Sequence, residues 1–229
     1  KLMNWCVMRG DIETSPVALL RPPTREVQRD RVLSDAEIRT IWQHSDAEDY
    51  PFGPFLKLLM MTGQRRAEVS DMRWSELNLD EGIWELPASR VKNARLHIVP
   101  LPPQAVDILR SLHRFLDSDF VFTTTGRSAI SGFGRLKERI EAALPENTPD
   151  WRFHDFRRTA STGMAKIGVA PHVIDAVTNH KSGVVSGVGA TYNRYTYFNE
   201  KREALELWAN ELTKITTVRS ETIAERMSD

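Results

Sequence analysis

The stretch FLKLLMMTGQRRAEV, residues 55–69, gives the strongest structural signal in this 229-residue chain. Residues 55–61 are apolar on nearly every side of a helix, which predicts a central helix that is buried all round. Gly63 ends that helix, and a short second helix is predicted to begin at Arg65. The junction is therefore expected to project the Arg65 guanidinium from a rigid core.

Helical patterns continue on both sides of this stretch. Residues 34–37, Ser-Asp-Ala-Glu, form a capping box, and Leu33 and Ile38 are placed as a hydrophobic staple, so a helix is predicted to start there. Further helices are predicted from Pro103, over residues 131–144, from His154, from Pro171 and from about Asn199. The inward-facing apolar residues are predicted to include Leu116 in the first of these helices and Leu205, Trp208, Leu212 and Ile215 in the last.

Two short segments, residues 83–86 and 96–99, have the composition of β-strands and are separated by a polar stretch. They are predicted to pair through a polar turn with Lys92 at or near its tip. Residues 120–122, Phe-Val-Phe, are a candidate third strand. The predicted fold class is therefore mainly α with a small antiparallel β-sheet, an α+β fold.

One large domain flanked by smaller pieces is predicted. Residues 1–15 have the pattern of a helix end, and residues 16–31 form a connector rich in proline and arginine, which is typical of an interdomain linker. The main domain is predicted over residues 32–215, followed by a polar tail at 216–229. Because the chain opens on a helix end, we expect it to be a piece of a longer protein.

The charge of the chain is balanced, with 31 basic and 31 acidic residues, which by itself is poor evidence for a protein that holds a polyanion. Residues 199–229 hold seven acids against five bases. Basic residues concentrate in two other stretches, with Arg90, Lys92 and Arg95 in the first and Arg152, Arg157 and Arg158 in the second. We therefore expect a basic face backed by acidic surfaces.

Cysteine and histidine usage does not indicate disulfides or metal sites. The lone Cys6 cannot form an internal disulfide, and no long apolar run is present, so we expect a reducing, soluble compartment. The six histidines show no ligand spacing such as His-x-x-x-His, and one cysteine cannot form a zinc knuckle. We predict no metal site and no cofactor.

Six polar residues carry, between them, the groups needed to cut a phosphodiester without a metal ion: Arg65, Lys92, His154, Arg157, His180 and Tyr192. Two guanidiniums can hold the non-bridging oxygens of a phosphate, and a tyrosine can attack phosphorus and become covalently attached. A lysine can protonate the departing sugar oxygen, and the histidines can move protons or donate hydrogen bonds. This set favours cleavage and rejoining of DNA strands.

These residues and their neighbours resemble the catalytic domain of the tyrosine recombinases, also called phage integrases, and especially the integrases of prophages and genomic islands. The resemblance covers roughly residues 30–215. The matching stretches, in chain order, are residues 62–68, 91–101, 154–159, 179–180 and 190–194. Each stretch is short, and it is their joint order that makes the resemblance specific.

The resemblance implies a DNA-cleaving and DNA-rejoining enzyme, a site-specific recombinase that integrates or excises a mobile element through a 3′-phosphotyrosine intermediate. The implied partners are double-stranded DNA attachment sites, further copies of the chain in a tetramer on the DNA, and accessory DNA-bending proteins. No membrane is implied, and the expected location is the bacterial cytoplasm, with action at the nucleoid. Residues 1–15 would be the last piece of a helical core-binding domain that clamps DNA from the opposite side.

The resemblance also implies individual roles. Tyr192 is the implied nucleophile and Lys92 the implied acid, while the two arginines hold the phosphate and the two histidines assist. Glu68 lies one helical turn after Arg65 and is predicted to orient the site. The predicted DNA contacts are Arg90, Arg95, Arg152 and Arg158.

Tyr195 and Tyr197 are rivals for the role of Tyr192. Both follow it closely, and a tyrosine near an amphipathic helix commonly packs instead of reacting. Tyr192 ranks first because the sequence Tyr-Asn-Arg at residues 192–194 matches the family. It comes twelve residues after His180 (192 minus 180), slightly more than the family usually shows.

Two other functions are compatible with the same residues. A type IB topoisomerase-like enzyme would use the same chemistry as a monomer, and a decayed integrase remnant would bind DNA without cutting it. The amphipathic C-terminal helix argues mildly against the first, since such a segment in the family can pack on a neighbouring subunit, although packing on its own domain is an equal alternative. The presence of every predicted catalytic residue argues against the second.

Overall fold

The computed structural model describes residues 2–20, 30–91, 94–180 and 196–217. The chain divides into two compact units, Lys1–Asp30 and Arg31–Asp229. The first unit contains helix α1 (Leu2–Arg9), none of whose residues is buried. All residues of the predicted chemical set belong to the second unit, and the predicted domain boundaries stay predictions.

The second unit is mainly helical with a small sheet. Its helices are α2 (Asp35–Ala47), α3 (Phe52–Thr62), α4 (Arg66–Ser70), α5 (Pro103–Ser111), α6 (Phe133–Ala143), α7 (Phe153–Lys166), α8 (Pro171–Val177) and α9 (Phe198–Thr217). Its strands are β1 (Leu77–Asn78), β2 (Ile83–Leu86) and β3 (His97–Pro100), and single turns of 3-10 helix cover Trp74–Glu76 and Ala88–Arg90. The antiparallel pairing in the order β1-β2-β3 confirms the predicted fold class. Within the described residues, no helix combines the length and the apolar character needed to cross a membrane.

Helix α2 begins at the capping box. The Ser34 hydroxyl accepts a hydrogen bond from the Glu37 N–H at 3.3 Å, and Glu37 Oε2 accepts one from the Ser34 N–H at 2.8 Å. Leu33 and Ile38, the predicted staple, are both buried. The Leu33 N–H also donates to the Thr159 hydroxyl at 2.9 Å, which fastens the start of the second unit to α7.

Helix α3 lies at the centre of the core, as its apolar sequence predicts, and packs against α2, α5, α7 and α9. Gly63 ends the helix in the left-handed conformation with φ 60°. A Cβ at this position would lie 3.0 Å from the Ala160 Cβ, so α7 crosses close to the turn. The missing side chain therefore lets the helix that carries Arg157 approach the junction that carries Arg65.

The sheet differs from the prediction in its third strand, which is β1. Phe120 instead forms an isolated antiparallel bridge with Arg73, and the Val121 N–H donates to the Met72 carbonyl at 2.9 Å. The prediction that residues 120–122 form the third strand is therefore wrong, because this segment pairs with the chain just after α4 and not with the sheet.

Helix α5 is shorter than its apolar pattern predicts. It ends at Ser111, and Leu116 is fully exposed. The Phe115 ring provides the apolar contact of this segment, with its centroid 6.3 Å from that of Tyr50. The prediction that Leu116 faces the core is therefore wrong.

Helix α9 lays its apolar stripe on its own unit. Of the predicted inward residues, Leu205, Trp208 and Leu212 are buried and Ile215 is half-buried. Trp208 Nε1 donates to the Met60 carbonyl at 2.9 Å, and a Cβ at Gly163 of α7 would collide with the indole. These contacts favour the alternative in which the C-terminal helix packs on its own domain, and they remove the argument it offered against a monomeric topoisomerase.

Candidate active site

Arg157, in the second turn of α7, is buried deeply, with 1% of its surface exposed. Its Nη1 donates to the Gly63 carbonyl at 3.1 Å, while Nε and Nη2 have no hydrogen-bond partner in the described part of the chain. Burial and then the neighbouring charge of Arg65 lower the pKa of Arg157 to about 10. A buried guanidinium with two unused donor nitrogens is suited to bind an anion.

Arg65 extends from the junction between α3 and α4. Glu68 holds it twice, because Oε2 accepts from the Arg65 N–H at 2.9 Å and Oε1 accepts from Arg65 Nη1 at 2.6 Å. Glu68 is buried, whereas 24% of the Arg65 side chain is exposed. The carboxylate thus fixes the direction of the guanidinium and leaves part of it open to solvent. This geometry suits the orienting role predicted for Glu68, which stays a prediction.

His154 stands on the exposed side of the first turn of α7, three residues before Arg157. The turn is capped by Asp155, whose Oδ2 accepts a hydrogen bond from the Arg152 N–H at 2.8 Å. Partial burial, then the charges of Arg157 and Arg158, lower the pKa of His154, and Asp155 opposes the shift. The imidazole is therefore neutral near pH 7 and able to accept a proton.

His180 is placed by the end of helix α8. The His180 N–H donates to the Asp175 carbonyl at 2.9 Å, and the Asn179 N–H donates to the Ala176 carbonyl at 3.4 Å. With Asn179 at φ 49°, these two bonds form a Schellman motif, in which asparagine tolerates the left-handed conformation. Burial and then two nearby guanidiniums lower the pKa of His180. The asparagine that precedes His180 in the sequence is thus explained by the left-handed conformation that ends α8.

The four described residues of the predicted set share one electrostatic environment. Beyond the effect of burial, Arg65 and Arg157 lower the pKa of both His154 and His180, and Arg65 lowers that of Arg157. The hydrogen bonds agree with this, because Arg157 Nη1 donates to the Gly63 carbonyl, two residues before Arg65, and Gln64 Nε2 donates to the Val177 carbonyl, three residues before His180. The fold therefore gathers side chains that lie far apart in the sequence.

The other predicted residues divide into those the structure describes and those it does not. Lys92, Tyr192 and Tyr195 lie outside the described residues, and their roles stay predictions. Tyr197 has φ 51°, and its ring lies against His172, with the centroids 5.2 Å apart. His172 sits at the start of α8, whereas His180 follows the other end of this helix. This packing does not favour Tyr197 as the nucleophile.

Two residues outside the predicted set lie beneath the site, namely Gln64 and His97. Gln64 Nε2 donates to the carbonyls of Thr62 and Val177 at 2.9 and 3.0 Å, and Gln64 Oε1 lies 3.3 Å from His97 Nε2. Both residues are buried. Strand alternation is the sequence signal that could have found His97, because it shares the inward face of β3 with Val99.

The four arginines predicted to contact DNA have different surroundings. Arg90 is paired with Glu76, and its Nη2 donates to the Glu68 carbonyl at 2.9 Å. Arg95 and Arg152 are exposed and Arg158 is half-buried. Arg90 is therefore already engaged within the fold, and its contact with DNA stays a prediction.

An open depression of about 650 Å³ adjoins His154. Arg66 and Arg152 line it together with the rings of Phe133 and Phe153. The Arg66 guanidinium lies over Phe133, 4.6 Å from the ring centroid. A basic and aromatic surface thus extends from the predicted set along the neighbouring face.

Comparison with known proteins agrees with this arrangement. The sequence matches the model of the phage integrase family over residues 31–201. The prophage integrase IntZ of Escherichia coli strain K12 is 29% identical over 169 residues, which cover 70% of this chain and 39% of IntZ. The chain thus spans about two fifths of the length of that relative.

Two solved structures of lambda integrase share the fold. A dimer bound to a COC′ core site gives a TM-score of 0.58 at 21% identity, covering 80% of this chain and 69% of that chain. A tetramer bound to a Holliday junction gives a TM-score of 0.58 at 22% identity, covering 78% of this chain and 55% of that chain. Because the family model matches residues 31–201, which are most of the chain, the chain belongs to the phage integrase family.

Proposed function

We propose that this chain is the strand-cleaving part of a site-specific DNA recombinase, which joins DNA through a 3′-phosphotyrosine at Tyr192. The observation that carries the proposal is Arg157, a buried cation with two donor nitrogens unpartnered among the described residues, beside Arg65. Burying a charge is unfavourable unless a counter-charge accompanies it. The two non-bridging oxygens of a phosphodiester meet that need.

Negative charge grows on those oxygens during the reaction. When the phenol oxygen of Tyr192 attacks, phosphorus becomes five-coordinate, and the planar forks of Arg65 and Arg157 donate charge-assisted hydrogen bonds to its oxygens. Glu68 and the Gly63 carbonyl already hold the two guanidiniums in place. Little reorganisation is therefore needed when the charge develops.

Two proton transfers accompany the exchange of bonds. As the bond from Tyr192 to phosphorus forms, the phenol proton passes to a neutral imidazole, a task that suits His154, while His180 donates to a non-bridging oxygen. As the bond to the 5′ oxygen breaks, Lys92 supplies the proton for that oxygen. Rejoining is the reverse, with a 5′-hydroxyl attacking the phosphotyrosine, and the covalent link keeps the bond energy without ATP.

Flanking phosphates are proposed to bind the depression beside His154. Arg66 and Arg152 line it and present charge that a DNA backbone would neutralise. Arg95 and Arg158 are proposed to add further contacts. Arg90 is expected to contribute least, because Glu76 already neutralises it.

Double-stranded attachment sites are the proposed substrate, and a tetramer on the DNA is the proposed assembly. Lambda integrase, which has the same fold, forms a dimer on a core site and a tetramer on a Holliday junction. Residues 1–15 are proposed to end a core-binding domain, residues 16–31 to form its linker, and residues 32–215 to form the catalytic domain, with a polar tail at 216–229. Accessory DNA-bending proteins and action at the bacterial nucleoid belong to the same proposal.

Nicked suicide duplexes that carry candidate attachment sites test the proposal. The unmodified chain should form a protein–DNA adduct that survives a denaturing gel. The nick lets the short fragment that carries the new 5′-hydroxyl diffuse away, so rejoining cannot occur. Tyr192→Phe should abolish the adduct while DNA binding persists, and Tyr195→Phe and Tyr197→Phe should retain it. An adduct from Tyr192→Phe would transfer the role of nucleophile to a neighbouring tyrosine.

A modified leaving group tests the role of Lys92, and the products formed distinguish the recombinase from the topoisomerase and the decayed remnant. Lys92→Ala should form little adduct with ordinary DNA and recover with a bridging 5′ sulfur, which leaves without protonation. Relaxation of a supercoiled plasmid that lacks attachment sites would favour the topoisomerase alternative. Tight binding without an adduct on any substrate would favour a decayed remnant.

A further inference from the structure

A buried side-chain amide links the elements that carry the predicted chemistry. Gln64 follows the turn that ends α3, and 1% of its surface is exposed. Its Nε2 donates to the Thr62 carbonyl at 2.9 Å and to the Val177 carbonyl at 3.0 Å. Both amide hydrogens are thus used, so Oε1 is left as an acceptor.

His97 supplies the donor for that acceptor. Its Nε2 lies 3.3 Å from Gln64 Oε1, and the Val177 carbonyl is a second acceptor for the ring. With an acceptor facing Nε2, we assign the ring hydrogen to this nitrogen. Burial, then the charges of Lys201 and Arg157, lower the pKa of His97 to about 3, so the ring is neutral at physiological pH. The hydrogen bond therefore joins two neutral groups in one defined tautomer.

Gln64 connects the two arginines of the site to helix α8. Arg65 follows it directly, and the residue before it holds Arg157 through a backbone carbonyl. The Val177 carbonyl that Gln64 binds belongs to the last residue of α8, three residues before His180. A shift of the Gln64 side chain would therefore displace the two arginines and also the end of α8 that precedes His180.

His97 connects the Gln64 side chain to the hairpin of β2 and β3. It is the first residue of β3 and pairs with Leu86, the last residue of β2. The connection between these strands contains Lys92. The bond from His97 to Gln64 thus ties the base of the lysine-bearing connection to the arginine turn.

We propose that Gln64 and His97 are positioning residues for DNA cleavage, whose hydrogen bond sets the spacing among the arginines, His180 and the base of the hairpin. The inference rests on the proposed function. Neither residue touches the phosphate, and both act through the groups that they hold. Because misplacement of reacting groups by about 1 Å can cost roughly a hundredfold in rate, such supports affect cleavage strongly.

The tautomer of His97 tests the pair without DNA. In the nitrogen-15-labelled unmodified chain, the ring should carry its hydrogen on Nε2 at pH 7 and should not titrate between pH 5 and pH 8. A hydrogen on Nδ1, or a charged ring at pH 7, would overturn the proposal.

Three variants separate positioning from general stability. His97→Leu removes the donor, and His97→Gln restores an amide N–H close to the position of ring Nε2. Tyr50→Phe is the matched control, because the Tyr50 hydroxyl donates to the Val121 carbonyl at 3.0 Å and accepts from the Thr123 N–H at 3.1 Å, outside the network. Should His97→Leu fail to fold, His97→Asn replaces it, since its shorter amide does not reach Gln64.

Amide hydrogen exchange reports the positioning directly. In His97→Leu, the amides of residues 178–180 should exchange about tenfold faster than in the unmodified chain, because the end of α8 has lost its support. In Tyr50→Phe these amides should exchange at the unmodified rate. Equal exchange at residues 178–180 in the two variants would overturn the proposal.

Single-turnover cleavage supplies the functional test. At saturating suicide DNA, His97→Leu should form adduct about 10- to 100-fold more slowly, with the Kd for DNA within about threefold, and His97→Gln should recover most of the rate. Equal rates in His97→Leu and Tyr50→Phe would overturn the proposal. An unmodified chain that forms no adduct overturns the proposed function instead, and the exchange result then decides alone whether the pair positions His180.

Discussion

The fold surrounds two arginines, the half-buried Arg90 and the buried Arg157, in opposite ways. Arg90, with 16% of its side chain exposed, pairs with Glu76 and donates to the Glu68 carbonyl. Arg157 is 1% exposed, yet two of its nitrogens have no partner among the described residues, and no carboxylate there forms an ion pair with it. Arg90 thus has its counter-charge inside the protein, whereas Arg157 is proposed to receive its counter-charge from a bound anion.

From this contrast we expect an arginine that binds an outside anion to lack an ion-pair partner within the protein, whatever its depth of burial. Lys201 gives a third case, since it is buried, donates to the Ile98 carbonyl, and burial lowers its pKa to about 8. A lysine can give up its charge when it is buried, but an arginine stays charged in proteins. Arg157 therefore keeps its requirement for an anion.

Arg157→Met should produce the largest effect. Adduct formation on suicide DNA is expected to fall about a hundred- to thousandfold, because a donor to the phosphate is lost. The free energy of unfolding in urea should stay the same or rise, because the variant removes a buried charge that forms no ion pair among the described residues. A clear loss of stability would contradict the contrast and make Arg157 a structural residue.

Arg90→Met should behave in the reverse manner. It leaves Glu76 buried without its cation, so the free energy of unfolding should drop by about 3 kcal/mol in urea titrations. The adduct rate of the folded variant should stay within about threefold of the unmodified rate, because Glu76 and the Glu68 carbonyl already engage the Arg90 guanidinium. A smaller salt dependence of DNA binding, by about one phosphate contact, would instead show that Arg90 touches DNA.

Sulfate should stabilise the unmodified chain and Arg90→Met, but not Arg157→Met. At ten times its Kd, the anion should raise the free energy of unfolding by roughly 1.4 kcal/mol in thermal or urea unfolding. Burial and then nearby guanidiniums lower the pKa of His154 and that of His180, and a bound anion would offset the effect of the guanidiniums. Binding therefore takes up protons, and sulfate should bind more tightly at pH 6 than at pH 8. Equal stabilisation of Arg157→Met would place the anion elsewhere.

Local signals explain what could be predicted from the sequence. The apolar helix, the glycine that ends it and the start at Arg65 lie within fifteen consecutive residues, and His154 and Arg157 lie one helical turn apart. Each of these features depends on neighbours in the chain. The position of Arg65 at the helix junction, and the spacing of His154 and Arg157 on one helix, could therefore be anticipated.

Long-range contacts explain what could not be predicted. Two of the three side-chain partners of Gln64 lie 33 and 113 residues away, and a single glutamine after a glycine gives no signal of them. Strand β1 has two residues, too few for alternation to be seen. The contact of Phe115 with Tyr50 ends the pattern that pointed to Leu116, because tertiary packing overrides local periodicity.

Gly63 allows helix α7 to lie close to the turn that follows α3. Any larger residue there would have to hold a φ of 60° and push against Ala160, one turn beyond Arg157 on the same helix, so the helix would have to retreat by a few tenths of an ångström. In the proposed site two planar cations hold a single tetrahedral ion, and such a retreat would change the spacing between them. We therefore expect the absence of a side chain at Gly63 to help determine the size of the anion that the proposed site accepts.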